Sequence, residues 1–471
     1  MLLVVGLPLV VIRAYLGVQG VPIPLGDTIW FYPAAYVFAR TGNLDTFGGP
    51  LTWHGWLYPM LLGAIERVLD LGFSGVLLAE VLVMLAVLLL AIYVLRTSFE
   101  APIILKAASV LTLVGALWAS SGRPELLTHA LLIFIALIAL KLTPPHVYVA
   151  NGIALGVLAI TQPTVALLAA LLVFAHYTVR LPPARCLVAT AISGILAAGA
   201  MTLATVLIYP YGLQGWLKGL AAQAGLTVGR GDTGQIFYYY LFHPAQPLVG
   251  GWFVIFAFLL IYLVAANLLR PNARVLFYVA ILMIAGASWF LGLRIPPTHY
   301  NIIAFVPLIT LFIAAHYLRI SRRNVRYALY CATLGLSVAL GLGAWRTALV
   351  GVLSLEAGVL PSEAAQAVRA YLKTGDTVGI PASLVFADLE LLKDSRLRIS
   401  AYDRRHGESA YVFVVQAASS RSRPPELEGY ALVEDRFKHN AIIFNGVRIA
   451  NTPLTYEFAA YRKLGRGDVL R

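Results

Sequence analysis

Residues 75–95 read GVLLAEVLVMLAVLLLAIYVL, and this stretch decides the class of the protein. It runs for 21 residues with a single charge, Glu80. A helix needs about 20 apolar residues to cross the hydrocarbon core of a bilayer. Similar runs lie at 2–18, 103–120, 126–142, 147–160, 164–179, 187–208, 248–268, 275–292, 302–318 and 328–345. The sequence therefore predicts an all-α polytopic membrane bundle of about eleven transmembrane helices. One further apolar run, 56–71, sets Glu66, Arg67 and Asp70 opposite Leu61, Leu62, Ile65 and Leu69. That division predicts an amphipathic helix lying in the interface, with Glu66 and Asp70 on its solvated face.

Composition agrees. Of 471 residues, 60% are hydrophobic and 12% charged, against about one quarter charged in a soluble domain. An ordinary soluble protein and a disordered chain are both excluded. Charge is segregated: residues 356–471 hold 16 basic and 14 acidic side chains, and the first 355 hold 19 and 8. The expected organisation is a membrane bundle over 1–355, with long outer loops at 19–74 and 209–247, then a soluble extracytoplasmic domain over 356–471. In the tail, 362–373 and 383–392 read as helices, and 377–380, 411–416, 441–444 and 447–450 as strands. Asn445-Gly446 marks a hairpin. The tail is expected to be a small α/β domain.

The net charge of +13 is a topology signal and needs no nucleic acid. With the N-terminus cytoplasmic, eleven basic residues fall in inner loops, including the Arg319–Arg326 cluster, and six in outer loops. The excess of basic residues inside favours this orientation. An odd number of spans then places the tail outside a multi-pass protein of the cell membrane. Residues 1–18 lack a basic leader and are read as the first span, with some cytoplasmic flank expected upstream. Cys186 and Cys331 are expected to form no structural disulfide and no metal site.

Only eight acids lie before residue 356, and six are on or near the outer face: Asp27, Asp45, Glu66, Asp70, Glu125 and Asp232. Asp45 and Asp232 sit in turn- or loop-like stretches. Glu125 favours the N-terminus of the fourth span. Asp27 follows the first span in PLGDTIWFYPAAY, where an N-cap is the simplest role. Pro33 argues against that, because a helix is expected to begin at that proline. A carboxylate at a lipid–water boundary beside Trp30 and Tyr32 is expected to be partly desolvated and so a better base.

Gly26-Asp27-Thr28, Tyr32-Pro33-Ala34-Ala35-Tyr36, Trp53-His54-Gly55-Trp56-Leu57-Tyr58-Pro59, Ser121-Gly122-Arg123-Pro124-Glu125 and Ile295-Pro296-Pro297-Thr298-His299-Tyr300 stand in this order along the chain. Together they resemble segments of the C-type glycosyltransferases, which take sugars from polyprenyl phosphate carriers, and in particular of protein O-mannosyltransferases and aminoarabinose transferases. The resemblance is firm over about the first 130 residues. Thr28 stands where those relatives usually carry a second acid, and Gly55 and Trp56 where they carry two prolines.

The resemblance implies glycosyl transfer at the outer face, from a polyprenyl-phosphate sugar to a lipid, glycan or protein acceptor. Asp27 is then the catalytic base. Arg123 and Arg230 are the candidates for holding the donor phosphate, with Lys218 and Arg294 as alternatives, since arginine can grip phosphate with two parallel hydrogen bonds. His54, Tyr58, Glu125, His299 and Tyr300 are the candidate substrate-binding residues. Aromatic residues such as Trp30, Trp53 and Tyr238–Tyr240 suit sugar stacking and an interfacial belt alike. His54, His243 and His299 could join Asp27 around a metal, but no metal-ligand spacing supports this, so no cofactor is expected. The competing class is a transporter or lipid flippase. Against it, no internal repeat is found, and embedded charges are few: Arg13, Glu80 and Arg346.

Overall fold

The apolar runs fold as helices. A computed structural model describes residues 2–21, 28–46, 49–51, 55–98, 101–227, 323–357, 361–373, 375–381, 394–400, 409–415, 427–436, 442–445, 447–450 and 458–464, with single positions 307, 310, 311, 314, 384 and 391. In chain order the helices are α1 (Leu2–Val18), α2 (Thr28–Thr41), α3 (Leu57–Leu69), α4 (Phe73–Ser98), α5 (Ile103–Ala119), α6 (Glu125–Lys141), α7 (His146–Thr161), α8 (Pro163–Arg180), α9 (Pro183–Ile208), α10 (Gly212–Thr227), α11 (Arg323–Ala357) and α12 (Pro361–Leu372). Eight of the eleven expected spans coincide with α1, α4 to α9 and α11; those at 248–268, 275–292 and 302–318 fall largely or wholly outside the described residues. Among the described residues three helices, α4, α9 and α11, are long and apolar enough to cross a membrane, while α1, α5, α6 and α7 are shorter apolar helices. A count of eleven spans is thus not shown.

By contacts the chain divides into two compact units. One comprises Met1–Val10, Pro50–Pro59 and Leu82–Ala344, the other Val11–Gly49, Met60–Val81 and Trp345–Arg471.

In the first unit α7 is packed tightly on α9. A Cβ added at Gly152 would lie 2.7 Å from Leu196 Cβ, and one at Gly156 the same distance from the Ala197 carbonyl. Small residues four apart let two backbones approach where lipid supplies no hydrophobic drive. The interface also carries a polar chain: Asn151 donates to the Tyr177 hydroxyl at 3.0 Å, and Tyr177 bonds Ser193 at 2.9 Å. Ser193 in turn donates to the Tyr148 carbonyl at 3.0 Å. The opposite flank of α9 is bare: Leu187, Val188, Ile195, Leu203, Val206 and Leu207 are each more than half exposed. A continuous apolar flank of that kind suits hydrocarbon and is poorly placed in water.

The described helices of the second unit are α2, α3, α12 and parts of α1, α4 and α11. Helix α2 starts at Thr28, with Pro33 in its interior; the expected start at Pro33 is corrected. Phe31, Tyr32, Ala34 and Ala35 are all buried on this helix, and tertiary burial outweighs the proline's lost donor. Helix α3 confirms the amphipathic helix, but Glu66 is not on a solvated face. Its side chain is 0% exposed, while that of Asp70 is 72% exposed. The chain folds back after α3, with Asp70 at φ 51° and Gly72 at φ 68°. The Glu66 carboxylate accepts from the backbone N–H groups of Leu71 (3.3 Å) and Gly72 (2.8 Å) and from Arg40 (3.2 Å). Arg40 also bonds Asp70 at 2.6 Å. Burial pushes the Glu66 carboxyl above its usual range, although the two N–H groups and Arg40 pull it down. Gly75 makes the room, since a Cβ there would fall onto the Glu66 carboxylate.

The tail folds as α12 and a sheet. Strands β3 (Val378–Pro381), β4 (Leu397–Ser400), β5 (Tyr411–Val415), β6 (Tyr430–Asp435) and β9 (Phe458–Lys463) form a five-stranded sheet in the order β4-β3-β5-β9-β6, and β7 (Ile442–Phe444) and β8 (Val447–Ala450) form a separate hairpin. Two-residue strands β1 (Asp45–Thr46) and β2 (Gly49–Pro50) form a third ladder. Strand β3 runs parallel to β4 and β5, and β9 antiparallel to β5 and β6. The hairpin turns where Asn445-Gly446 predicts, with Asn445 at φ 48°, a conformation asparagine tolerates. Strands β4, β6 and β9 were not expected. The predicted helix 383–392 lies largely outside the described residues.

Candidate functional site

In the first unit, two segments distant in sequence meet at the junction between α7 and α8. The first is the turn from α5 to α6. Helix α5 stops at Ala119, Gly122 reverses the chain at φ 73°, and α6 starts at Glu125 directly after Pro124. Glu125 therefore stands in the first turn of α6, where the helix dipole favours a carboxylate. It is 2% exposed. Arg123 reaches it with Nε 3.3 Å from Oε2 and Nη2 3.5 Å from Oε1. Gln162 donates to Oε1 at 2.9 Å. Gln162 is extended (φ −153°, ψ 94°) and immediately precedes Pro163, the first residue of α8. This extended link turns its amide toward α6.

The second segment is 55–58. A Cβ on Gly55 would fall onto the carbonyl of Thr161, so glycine permits the backbone to rest against the end of α7. Trp56 stacks on Tyr209 with centroids 5.4 Å apart, and the Tyr209 hydroxyl donates to the Leu51 carbonyl at 2.6 Å. Tyr58 is buried at the start of α3. The ends of α5, α7 and α9 thus gather with Leu51 and residues 55–58 at one end of this bundle, as alternating up-and-down helices require. One turn along α6 from Glu125 lies His129, buried, with Nε2 3.3 Å from Ser120 Oγ. Gln162 and His129 were not among the expected site residues. Their signal was a polar side chain at the break or near the end of an apolar run.

In the second unit lies a buried ionic cluster. Arg13 of α1 donates through Nη2 to Glu80 Oε2 of α4 at 2.9 Å and to the Tyr32 hydroxyl of α2 at 3.2 Å. Tyr32 donates to the same Glu80 oxygen at 2.5 Å. Arg13 Nη1 points to the Val21 carbonyl at 3.5 Å. All three side chains are wholly buried. The sequence shows Arg13 and Glu80 as embedded charges, and their pairing follows from the cost of leaving either alone in an apolar interior.

Of the expected site residues, the structure brings Arg123 and Glu125 together and buries Tyr58. Asp27, His54, Arg230, His299 and Tyr300 lie outside the described residues, as do the alternatives Arg294 and His243. Lys218, the other alternative, is exposed on α10. Among the described residues no three His, Cys, Asp or Glu side chains gather to hold a metal. Cys186 and Cys331 are both free.

No family model matches the sequence, and no curated protein matches it. The fold is similar to a crystal structure of the Archaeoglobus fulgidus oligosaccharyltransferase in complex with Zn and sulfate, at 12% identity and a TM-score of 0.36. That match covers 83% of this chain, which spans 62% of the length of the solved one.

Proposed function

We propose that this protein is an integral membrane glycosyltransferase that moves a sugar from a polyprenyl-phosphate donor to a lipid, glycan or protein acceptor on the outer face of the cell membrane. The observation that best supports the reading is the meeting of the two resemblance-bearing segments, 55–58 and 121–125, on Thr161 and Gln162. They are remote in sequence, and a chain without a shared site has no evident need to bring them together. The apolar helices and the bare flank of α9 support the membrane setting.

In this reading Asp27 takes the proton of the acceptor hydroxyl. Arg123 and Arg230 take the charge that grows on the phosphate as the glycosidic bond breaks. Arg123 is held toward Glu125 by bonds of 3.3 and 3.5 Å, longer than the roughly 2.7–2.9 Å of strong charge-assisted pairs. A phosphate oxygen therefore competes well for the same guanidinium, and Glu125, kept by Gln162, holds the arginine ready before donor arrives. Tyr58, His54, His299 and Tyr300 line the substrate in this proposal, and residues 356–471 form the extracytoplasmic domain.

The test is transfer from radiolabelled polyprenyl-phosphate sugars by purified protein in lipid nanodiscs. Asp27→Asn is expected to lower transfer by about 100- to 10,000-fold. Undiminished transfer in that variant removes Asp27 from its role. Absence of transfer by the wild type with every lipid-linked donor, together with movement of such lipids across vesicles, replaces the enzyme with a transporter.

A further inference from the structure

We infer that the recess between α12 and the end of β6, in the tail, is a binding site for a neutral saccharide. All the residues that build it lie within 363–436, so the inference stands apart from the glycosyltransferase reading. The recess measures about 460 Å³, within the roughly 300–1,000 Å³ of small-molecule sites. One wall is a single face of α12, where Glu363, Gln366, Ala367, Ala370 and Tyr371 recur at three- and four-residue intervals. The other wall is Glu434 and Arg436.

The sheet wall depends on a bulge. Strand β6 sets Leu432 opposite Tyr461 of β9 but Glu434 opposite Ala460, so Val433 is an extra residue. In an unbroken antiparallel ladder Val433 would stand opposite Ala460. A slip of one residue sends the following side chains to the other face of the sheet. Ala460 also pairs with Phe413, and Phe413 packs edge-on against Tyr371 of α12 at 5.4 Å. The bulge therefore brings Glu434 onto the face that carries α12 and leaves Val433 44% exposed. Arg436 follows onto that face, its guanidinium 6.0 Å from the centre of the Phe458 ring. A sheet that needed only to cover its core would keep the valine there.

The two charged groups are held in place. Glu434 accepts from the Tyr371 hydroxyl at 3.1 Å through Oε2 and from Arg436 Nε at 2.7 Å through Oε1. The Nη groups of Arg436 and the exposed side chains of Glu363 and Gln366 have no partner among the described residues.

These open groups select the ligand class. A cation would meet Arg436 and find only Glu363 to pair with, because Glu434 is already matched. A simple anion would be drawn to the Nη groups and repelled by two carboxylates. A neutral ligand with donors and acceptors on adjacent atoms satisfies all three groups. Neighbouring hydroxyls donate to the Glu363 carboxylate, exchange hydrogen bonds with the Gln366 amide, which both donates and accepts, and accept from the guanidinium. A pyranose carries that pattern on its rim, and its apolar C–H face suits Ala367, Ala370 and the half-buried ring of Tyr371.

The test is saturation-transfer NMR on the full chain in nanodiscs, with methyl glycosides of neutral hexoses and of N-acetylhexosamines as probes. Inorganic phosphate, methylammonium and N-acetyl-alanine methylamide stand in for an anion, a cation and a peptide. The wild type is expected to bind glycosides in preference to all three. Ala370→Trp fills the recess from an exposed position, and Glu363→Ala removes the open carboxylate; each is expected to weaken glycoside binding about tenfold or more, with the melting temperature kept. Lys373→Ala, exposed just past α12, is expected to bind as wild type does.

Absence of glycoside binding by the wild type overturns the inference. So does unchanged affinity in both Ala370→Trp and Glu363→Ala, since the sugar is then held elsewhere. Phosphate, methylammonium or the peptide analogue binding in place of glycosides, and lost in those variants, overturns it in favour of that class. A wild type that transfers no sugar ends the glycosyltransferase reading and leaves this comparison intact.

Discussion

Replacing Gly55 by alanine tests the meeting of segments at the end of α7. The added Cβ would fall onto the Thr161 carbonyl and lie 2.9 Å from the Ile160 carbonyl oxygen. Both obstacles are backbone in the last turn of a helix, so neither rotates away as a side chain would. The chain at 55–56 must instead move by on the order of 1 Å, at a typical overpacking cost of about 1–3 kcal/mol. The move also disturbs the Trp56–Tyr209 stack, worth roughly 0.5–1.5 kcal/mol beyond area burial. Together the loss is about 2–4 kcal/mol. Gly194→Ala is the matched control. Nothing lies within 4 Å of a Cβ at Gly194, in the middle of α9, so the same substitution there is expected to stabilise by about 0.5–1 kcal/mol through helix propensity alone. Reversible unfolding in SDS, followed by tryptophan fluorescence, measures both. Transfer by Gly55→Ala is expected to fall about 100-fold. A Gly55→Ala protein as stable as wild type and equally active would show that residues 55–58 do not rest on α7 as described.

Two further outcomes follow from the charges. Arg123→Ala leaves Glu125 buried with Gln162 as its side-chain donor among the described residues, and is expected to destabilise by about 3–5 kcal/mol, with Arg123→Ala/Glu125→Ala recovering most of that loss; equal losses in the single and double variants would deny the coupling. Tyr371 donates to Glu434 at 3.1 Å, and burial, the nearby Glu434 charge and that hydrogen bond push its phenol up to about 12. A raised phenol pKa stabilises the fold fully below the ordinary value of 10.0 and loses that contribution as pH rises through about 12. The stability gap between wild type and Tyr371→Phe is therefore expected to be flat to pH 10 and to close by pH 12 in a thermal-melt series, and a gap that persists at pH 12 contradicts the assignment.

Much of the helical layout was legible because the signal is long and repeated. The first run, 2–18, coincides with α1, and 103–120 misses α5 by one residue. The hairpin at Asn445 was legible because asparagine meets a local backbone demand. Three failures share a cause: the deciding contact was remote in sequence. Glu66 reads as solvated on its own helix, but the backbone of residues 71–72 and the space at Gly75 enclose it. Pro33 reads as a helix start, but burial of Tyr32 and its neighbours carries the helix back to Thr28. Strand β9 reads poorly because Ala459 and Ala460 have little preference for extended structure, yet it pairs on both sides, with β5 and β6. In the site, Arg123 and Glu125 were legible as one short segment, whereas Gln162 enters only through folding.

The pairing of Arg13 with Glu80 also sets a condition on how the chain is made. The two residues are 67 positions apart. At a synthesis rate of about 5–20 residues per second, the arginine leaves the ribosome roughly 3–13 seconds before its carboxylate exists. During that interval α1 carries an unmatched charge near its centre and is a poor candidate for lipid on its own. If α1 is a span, the nascent helix is expected to wait where water or the insertion machinery can hold it, and to enter the bilayer together with α4 as a charge-neutral pair. Chains truncated before residue 80 should accordingly be extracted from membranes by alkaline carbonate, and firm retention of such chains would rule out delayed insertion.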